Sequence, residues 1–396
     1  MNNFFRNVLK AKYKFKLPSK KHNVVLDLNN SYYFVNLFKR DKTFFLDTRF
    51  YDDVEFTGVK NFQNELYLLV FIYSILNYFT NKKYTLMQHY IINCIKFIDP
   101  KNIITFTDNN LFFLRLKNIF EHKKLVIFQY TWRTRLTFDD MYFHIKNEKS
   151  FKRFKVDYTC IWGKNSKFFY SQFVDTKFLI TGSIKNNFFP VKKNLRKDSI
   201  IFISQFRMHF DYNKKLNIFK KNYFKDNALN NILKYCIKNN LKLKILGCAK
   251  ENSKYEKNYF NNLLGENNFI FLKRTIGLSS YKYSLNYKYF ITFCSSLAYE
   301  LIGRGKRVAF LPWNEQFQIK YKNIKFNESF YSNKKKTGLI WSNTPSKKEV
   351  FRLLNYVTKA KDKSWKNIQK ILIDPIITYD KDNKMTKNLF KKLRIN

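Results

Sequence analysis

Short β-branched and aromatic runs alternate with longer amphipathic ones along nearly the whole chain, and this alternation constrains the fold more than any other feature. Residues 24–28, 44–47, 103–107, 125–129, 158–162 and 178–181 read as strands. Helical periodicity at 62–79, 85–98, 111–120 and 166–173 separates several of them. The pattern breaks at 185–199, KNNFFPVKKNLRKDS, a polar stretch with Pro190, many cations and no period. It then restarts, with strands at 200–204, 243–247, 269–272, 289–293, 308–311 and 339–341. Helices at 228–239, 254–264, 279–285, 296–304 and 347–358 lie between them, and a basic helix follows at 384–393. Strand–helix–strand order implies a parallel sheet with helices on its faces. The expected fold is therefore α/β, with two Rossmann-like parallel-sheet domains facing a cleft. The expected division is 1–184, a linker at 185–199, and 200–396 carrying the C-terminal helix.

Composition narrows the partners. Lys plus Arg is 75 against 29 for Asp plus Glu, a formal charge of +46. The cations are spread along the chain, and Lys, Asn, Ile, Phe and Tyr are all heavily used. A genome rich in A and T produces that whole set together, so no specific nucleic-acid partner is expected. A surface this positive still attracts polyanions and anionic lipid headgroups. With 45% hydrophobic residues, 19% aromatic and only 6 prolines and 9 glycines, global disorder is excluded.

The cysteines at 94, 160, 236, 248 and 294 form no CxxC pair, and the five histidines show no ligand spacing. This favours buried thiols in a reducing compartment, with no metal and no cofactor. The longest apolar run, 66–79, is 14 residues and contains Ser74 and Asn77. A membrane span needs about 20 residues, so a core helix is expected there. The N-terminus has no apolar stretch of the signal-peptide kind. The protein is expected in the cytoplasm, with possible peripheral contact at the inner membrane face.

In parallel sheets ligands bind beyond the carboxyl ends of the strands, so residues just after each strand are the candidates. Residues 289–312, YFITFCSSLAYELIGRGKRVAFLP, read as strand, Ser-Ser turn, short helix, glycine exit and strand. Ser295 and Ser296 fall where the helix begins. The free N–H groups of a first helical turn, together with the helix dipole, suit a phosphate or diphosphate. Glu300 lies one turn on and can reach a ligand's hydroxyls; alternatively the serines are plain caps and Glu300 pairs with Arg304. Arg207 and Arg274 also follow strands and suit diphosphate recognition. His209 is a further acid or base candidate beside Arg207. In the first half, Asp108 follows 103–107 and is a general-base candidate, unless it caps the next helix. Asn109 and Asn110 suit sugar hydroxyls, Gln129 and Arg133 an anionic group, and Gly182-Ser183 a tight turn at the cleft.

The segment SSLAYELIGRGKRVAF resembles the donor-site loop and helix of GT-B-type glycosyltransferases. More closely, the chain resembles a bacterial family of surface carbohydrate biosynthesis proteins. IITFTDNN (103–110), LVIFQYTWR (125–133), DYTCIWGKNSKFFY (157–170), FLITGSIKNN (178–187) and IIFISQF (200–206) agree with that family's order over roughly residues 20 to 360. The resemblance implies a GT-B-like fold with a nucleotide-sugar in the C-terminal domain and an acceptor in the N-terminal one. Ser295, Ser296 and Glu300 would then be donor-binding. After Gln129 the family's glycine turn is replaced by Tyr130-Thr131-Trp132-Arg133.

Absent are GxGxxG, the P-loop and GxSxG. The single DxD, Asp380-Lys381-Asp382, lies in a polar stretch and reads as solvated, which favours metal-independent transfer. The leading expectation is a glycosyltransferase moving a sugar from a nucleotide-sugar donor to a glycan or lipid-linked acceptor in surface polysaccharide assembly. Asp108 would be its base. The alternatives are a nucleotide-sugar epimerase or glycerophosphotransferase-like enzyme on the same architecture, and a non-catalytic basic nucleic-acid binder.

Overall fold

In a computed structural model of the chain, the described residues are 8, 11–26, 32–46, 65–133, 153–206, 223–248, 253–275, 277–311, 337–342 and 344–395. Two compact units result. Unit 1 comprises Met1–Thr131, Thr137–Phe188 and Asp380–Asn396; unit 2 comprises Trp132–Leu136 and Phe189–Tyr379.

Unit 1 carries the strands β1 (Lys12–Lys14), β2 (Asn23–Leu26), β3 (Thr43–Leu46), β4 (Glu65–Tyr67), β5 (Asn102–Thr105), β6 (Lys124–Phe128), β7 (Phe154–Ile161) and β8 (Val174–Ile180). Six of them form one sheet in the order β3-β2-β5-β6-β7-β8, with every neighbour parallel. Their runs are apolar because both faces are covered: Val24, Val25, Ile103, Ile104, Val126 and Ile127 are all buried. β1 and β4 form a separate parallel pair. The helices are α1 (Leu68–Thr80), α2 (Leu86–Ile98), α3 (Leu111–Ile119), α4 (Lys164–Tyr170) and α5 (Ile184–Asn187). Thr85 starts α2 with a reciprocal capping box to Gln88.

α1 is not the core helix that its composition suggested. Its polar residues face inward: Ser74 is buried and accepts from Asn93 Nδ2 at 2.9 Å, while Asn77 donates to Asn93 Oδ1 at 3.4 Å. Its apolar residues Leu69, Ile72, Tyr73, Leu76 and Phe79 are exposed. The predicted start at 62 also shifts, because Glu65–Tyr67 pair with β1 before the helix begins.

Unit 2 contains β9 (Arg196–Ile203), β10 (Lys242–Leu246), β11 (Ile270–Leu272), β12 (Tyr287–Thr292), β13 (Arg307–Phe310), β14 (Thr337–Gly338) and β15 (Trp341–Ser342). The sheet order is β11-β10-β9-β12-β13-β15-β14, parallel except for the β14–β15 hairpin. Its helices are α6 (Tyr223–Lys238), α7 (Ser253–Leu264), α8 (Ser279–Ser284), α9 (Ser296–Gly303), α10 (Lys347–Lys359) and α11 (Asp362–Ile368). The polar stretch expected as a linker is partly regular: Ile184–Asn187 is helical, and Arg196–Ser199 already belong to β9.

The last helix, α12 (Lys384–Lys392), was expected with 200–396 and instead lies in unit 1. Leu389, Phe390 and Ile395 enter the unit 1 core, where the Phe390 ring sits 4.9 Å from Phe38 and 6.0 Å from Phe128. Two buried asparagines fix its end. Asn23 donates to Ile395 O at 3.1 Å, and Asn102 donates to Leu393 O at 3.2 Å and to Asn23 Oδ1 at 2.8 Å. Asp380 is half-buried rather than solvated, accepting from the Met385 N–H at 2.8 Å, and burial raises its carboxyl above the ordinary range.

Among the described residues, no helix is long and apolar enough to cross a membrane. No group of His, Cys, Asp and Glu there is placed to hold a metal. All five cysteines are free; Cys94, Cys160 and Cys236 are buried, whereas Cys248 and Cys294 are half-buried.

Candidate functional site

The unit 2 sheet runs outward from β9 in both directions, through β10 and β11 on one side and β12 and β13 on the other. Order therefore reverses between β9 and β12, and the carboxyl ends of those two strands flank the switch point where such sheets bind ligands. Gln205 follows β9, and Cys294 to Ser296 follow β12. Gln205 Oε1 accepts the Cys294 N–H at 2.6 Å, fixing the turn that leads into α9.

Ser295 is the N-cap of α9, yet its side chain makes no capping bond. Ser295 and Ser296 are both half-buried. The reading of these serines as plain caps is not what the geometry shows. An eight-residue helix thus presents its first turn, with two serines, at the carboxyl end of the central strand β12.

Glu300, one turn on, is buried, and its Oε2 accepts the Tyr281 hydroxyl at 2.5 Å. The Arg304 side chain does not hydrogen-bond to it. Arg304 Nε, Nη1 and Nη2 are all buried with no hydrogen-bond partner. The guanidinium lies 5.6 Å from the Phe189 ring centroid, and that ring stacks on Tyr281 at 5.2 Å. Burial holds Arg304 below its ordinary range, while Tyr281, Glu300 and Tyr379 act the other way. Buried Lys306 donates to Leu285 O at 2.7 Å, and burial, then Arg304 and Lys192, push its ammonium down to about 7.

α9 is buttressed from a part of the sequence that periodicity does not connect to it. Trp132, which belongs to unit 2, stacks on Tyr299 at 4.1 Å with the rings 12° from parallel. Trp132 stands where the resembled family has a glycine turn.

Arg274 donates from Nη1 to Cys248 O at 2.9 Å, and Cys248 Sγ lies 2.6 Å from Phe206 O. Arg274 is thereby joined to the loop after β9. Both Glu256 oxygens lie 3.1 Å from the Cys248 nitrogen. A Cβ on Gly247 would stand 2.8 Å from Phe271 Cζ and 3.1 Å from Glu256 Oε2, so glycine permits this close approach. Arg207 and His209 lie outside the described residues.

The unit 1 candidates also follow parallel strands, but several are engaged in holding the unit together. Asp108 is buried. Its Oδ2 accepts a short bond from the Tyr170 hydroxyl, and its Oδ1 accepts the Tyr130 N–H at 3.2 Å. It does not cap α3; Asn110 does, accepting from the Phe112 N–H at 3.0 Å. Gln129 is buried, with Oε1 accepting the Trp162 N–H and its backbone carbonyl accepting Trp162 Nε1–H, both at 2.9 Å. Ser183 is buried at the start of α5, where Gly182 takes a φ of +64°. Asn109 is exposed and Arg133 is half-buried in unit 2.

The strand orders, together with a helix N-terminus at the switch point, define an α/β protein with two Rossmann-like parallel-sheet domains, GT-B-like in class. The family described as "putative O-antigen biosynthesis protein" matches residues 126–394, and the chain belongs to that family of surface carbohydrate biosynthesis. No curated protein sequence matches the chain. Among solved structures, it is similar to the UDP-GlcNAc 2-epimerase of Methanocaldococcus jannaschii in complex with UDP-GlcNAc and UDP. That match has a TM-score of 0.54 at 9% identity and covers 94% of this chain and 99% of that one. It is also similar to the UDP-N-acetylglucosamine 2-epimerase of Rickettsia bellii, with a TM-score of 0.52 at 10% identity and 96% of each chain covered. At these identities the likeness is one of fold.

Proposed function

We propose that the protein is an enzyme of surface polysaccharide assembly that binds a nucleotide-activated sugar in unit 2 and converts the sugar without an acceptor, as an epimerase does. It would work in the cytoplasm. The observation that carries the binding is the first turn of α9, set at the switch point with the Ser295 hydroxyl not used for capping. Its N–H groups, with Ser295 and Ser296, would hold the diphosphate. Glu300 would accept from a ligand hydroxyl, with Tyr281 fixing its orientation. Arg274 would add donors to the diphosphate.

In the transferase reading Asp108 would be the base on an acceptor hydroxyl, through a carboxylate that also accepts from Tyr170 and Tyr130 inside unit 1. The transferase reading draws on the O-antigen family, since a surface glycan is built by sugar transfer. It would use a glycan or lipid-linked acceptor, with the exposed Asn109 of unit 1 as a contact, and would bring the protein to a membrane.

Incubation of the pure protein with single UDP-sugars, followed by proton NMR of the sugar ring, separates the readings. A new stereoisomer formed from the donor alone supports conversion. Turnover only after adding a lipid-linked glycan supports transfer. Neither turnover nor binding of any nucleotide-sugar overturns both.

A further inference from the structure

α1 is built inside out. The face toward α2 carries Ser74 and Asn77, bonded to Asn93, while Leu69, Ile72, Tyr73, Leu76 and Phe79 form a stripe on the outside. Their spacing is that of one helical face. Leu76 is 59% exposed and Phe79 70% exposed, too open for core positions. Lys14 of β1 pairs with Tyr67, the residue before α1, so Phe15 leaves the ladder where α1 begins; Phe15 is 77% exposed, and Leu17 beyond it is also exposed. An exposed apolar helix face of this kind marks a surface that meets something.

Charge selects the occupant. Lys12 and Lys16, on and just after β1, and Lys82 and Lys83, just after α1, are exposed. The single carboxylate in residues 11–26 and 65–98 is Glu65, already paired with Lys14 at 3.0 Å. A second copy docking through this face would set these lysines against their own images. An anionic lipid surface satisfies both features, taking the apolar side chains into the acyl boundary and the ammonium groups at the headgroups.

We propose that α1, with Phe15 and Leu17, is a membrane-docking face that lies in the headgroup region of an anionic bilayer without crossing it. Thirteen residues are too few to span a bilayer, and the inward amides of Asn77 and Asn93 keep the helix anchored to unit 1. Tyr73, on the stripe, suits the boundary between acyl chain and water.

The test is co-sedimentation of the full chain with vesicles of phosphatidylglycerol in phosphatidylcholine, and of phosphatidylcholine alone. Leu76→Ser/Phe79→Ser leaves the charge at +46 and touches only exposed positions. It is expected to weaken binding to the anionic vesicles about tenfold or more. Ile237→Ser, an exposed apolar position in unit 2, is expected to bind like wild type. Equal binding by the double variant and Ile237→Ser would overturn the proposal, since charge alone would then suffice. A wild-type dimer that the double variant dissolves, with vesicle binding unchanged, would overturn it in favour of a second copy.

Discussion

Tyr281 donates its hydroxyl to Glu300 Oε2 at 2.5 Å, joining α8 to α9 across 19 residues of sequence. The Tyr281 ring stacks on Phe189, and Phe189 in turn lies beneath the unpartnered Arg304 guanidinium. Phe189 and Tyr379 are the first and last residues of the long segment of unit 2, and they are tied together by the Tyr379 hydroxyl donating to Phe189 O at 2.9 Å. The carboxylate proposed to meet the ligand is thus held by groups that close the ends of that unit.

Tyr281→Phe keeps the stack on Phe189 and removes the donor to Glu300. A buried carboxylate that loses a hydrogen bond costs about 1–3 kcal/mol. Urea unfolding is expected to show a loss in that range, and nucleotide-sugar affinity is expected to fall with it. A variant as stable as wild type would mean that Glu300 is held by other groups.

Arg304 is buried without a hydrogen bond, a costly state for a guanidinium. Arg304→Met fills a similar volume and removes the charge. The unfolding free energy is expected to stay level or rise, by about 1 kcal/mol. A loss of several kcal/mol would show that the charge acts on Glu300 strongly enough to outweigh its burial.

Lys306 supplies a pH dependence. Its ammonium is near 10.5 when unperturbed and about 7 in the fold. Between those values the unfolded chain holds a proton that the folded chain has released. Stability therefore rises with pH across the window, with a slope from this group of up to about 1.4 kcal/mol per pH unit, and the contribution is flat below about 7. Comparing wild type with Lys306→Met by urea unfolding between pH 7 and 9 isolates it. The difference between the two is expected to shrink or reverse as pH rises; a difference independent of pH would refute the assignment.

Phe390→Ala tests whether α12 completes unit 1. Truncating a fully buried aromatic side chain costs about 3–5 kcal/mol. Unit 1 is expected to melt first in the variant, seen as early hydrogen exchange in β2 and β5, where Asn23 and Asn102 bond the end of α12. Unchanged protection there would place α12 outside the core.

The twin sheets were legible because strands buried on both faces are written as continuous apolar runs; Val24, Ile103, Val126 and Ile201 all sit in such runs. The α9 turn was legible too, since an apolar strand followed by Cys294-Ser295-Ser296 announces a helix start. What stayed hidden depends on long-range partners. Ser74 and Asn77 looked like blemishes in a core helix because Asn93, which draws them inward, lies on another helix. Nothing near residue 384 says which unit its apolar face will cover. Asn23, Asn102, Asn187 and Asn383 carry no local signal of burial, yet all four are buried and bonded to one another or to backbone. Tyr281 and Tyr170, which hold Glu300 and Asp108, gave no local signal.

Titration calorimetry of the pure protein with a panel of UDP-sugars, repeated on Ser295→Ala/Ser296→Ala and on Glu300→Gln, reaches the central claim most directly. Saturable binding by wild type, weakened about tenfold or more in both variants, is the predicted result. Binding of equal strength in all three proteins, or none in wild type, would contradict a nucleotide-sugar site at the start of α9.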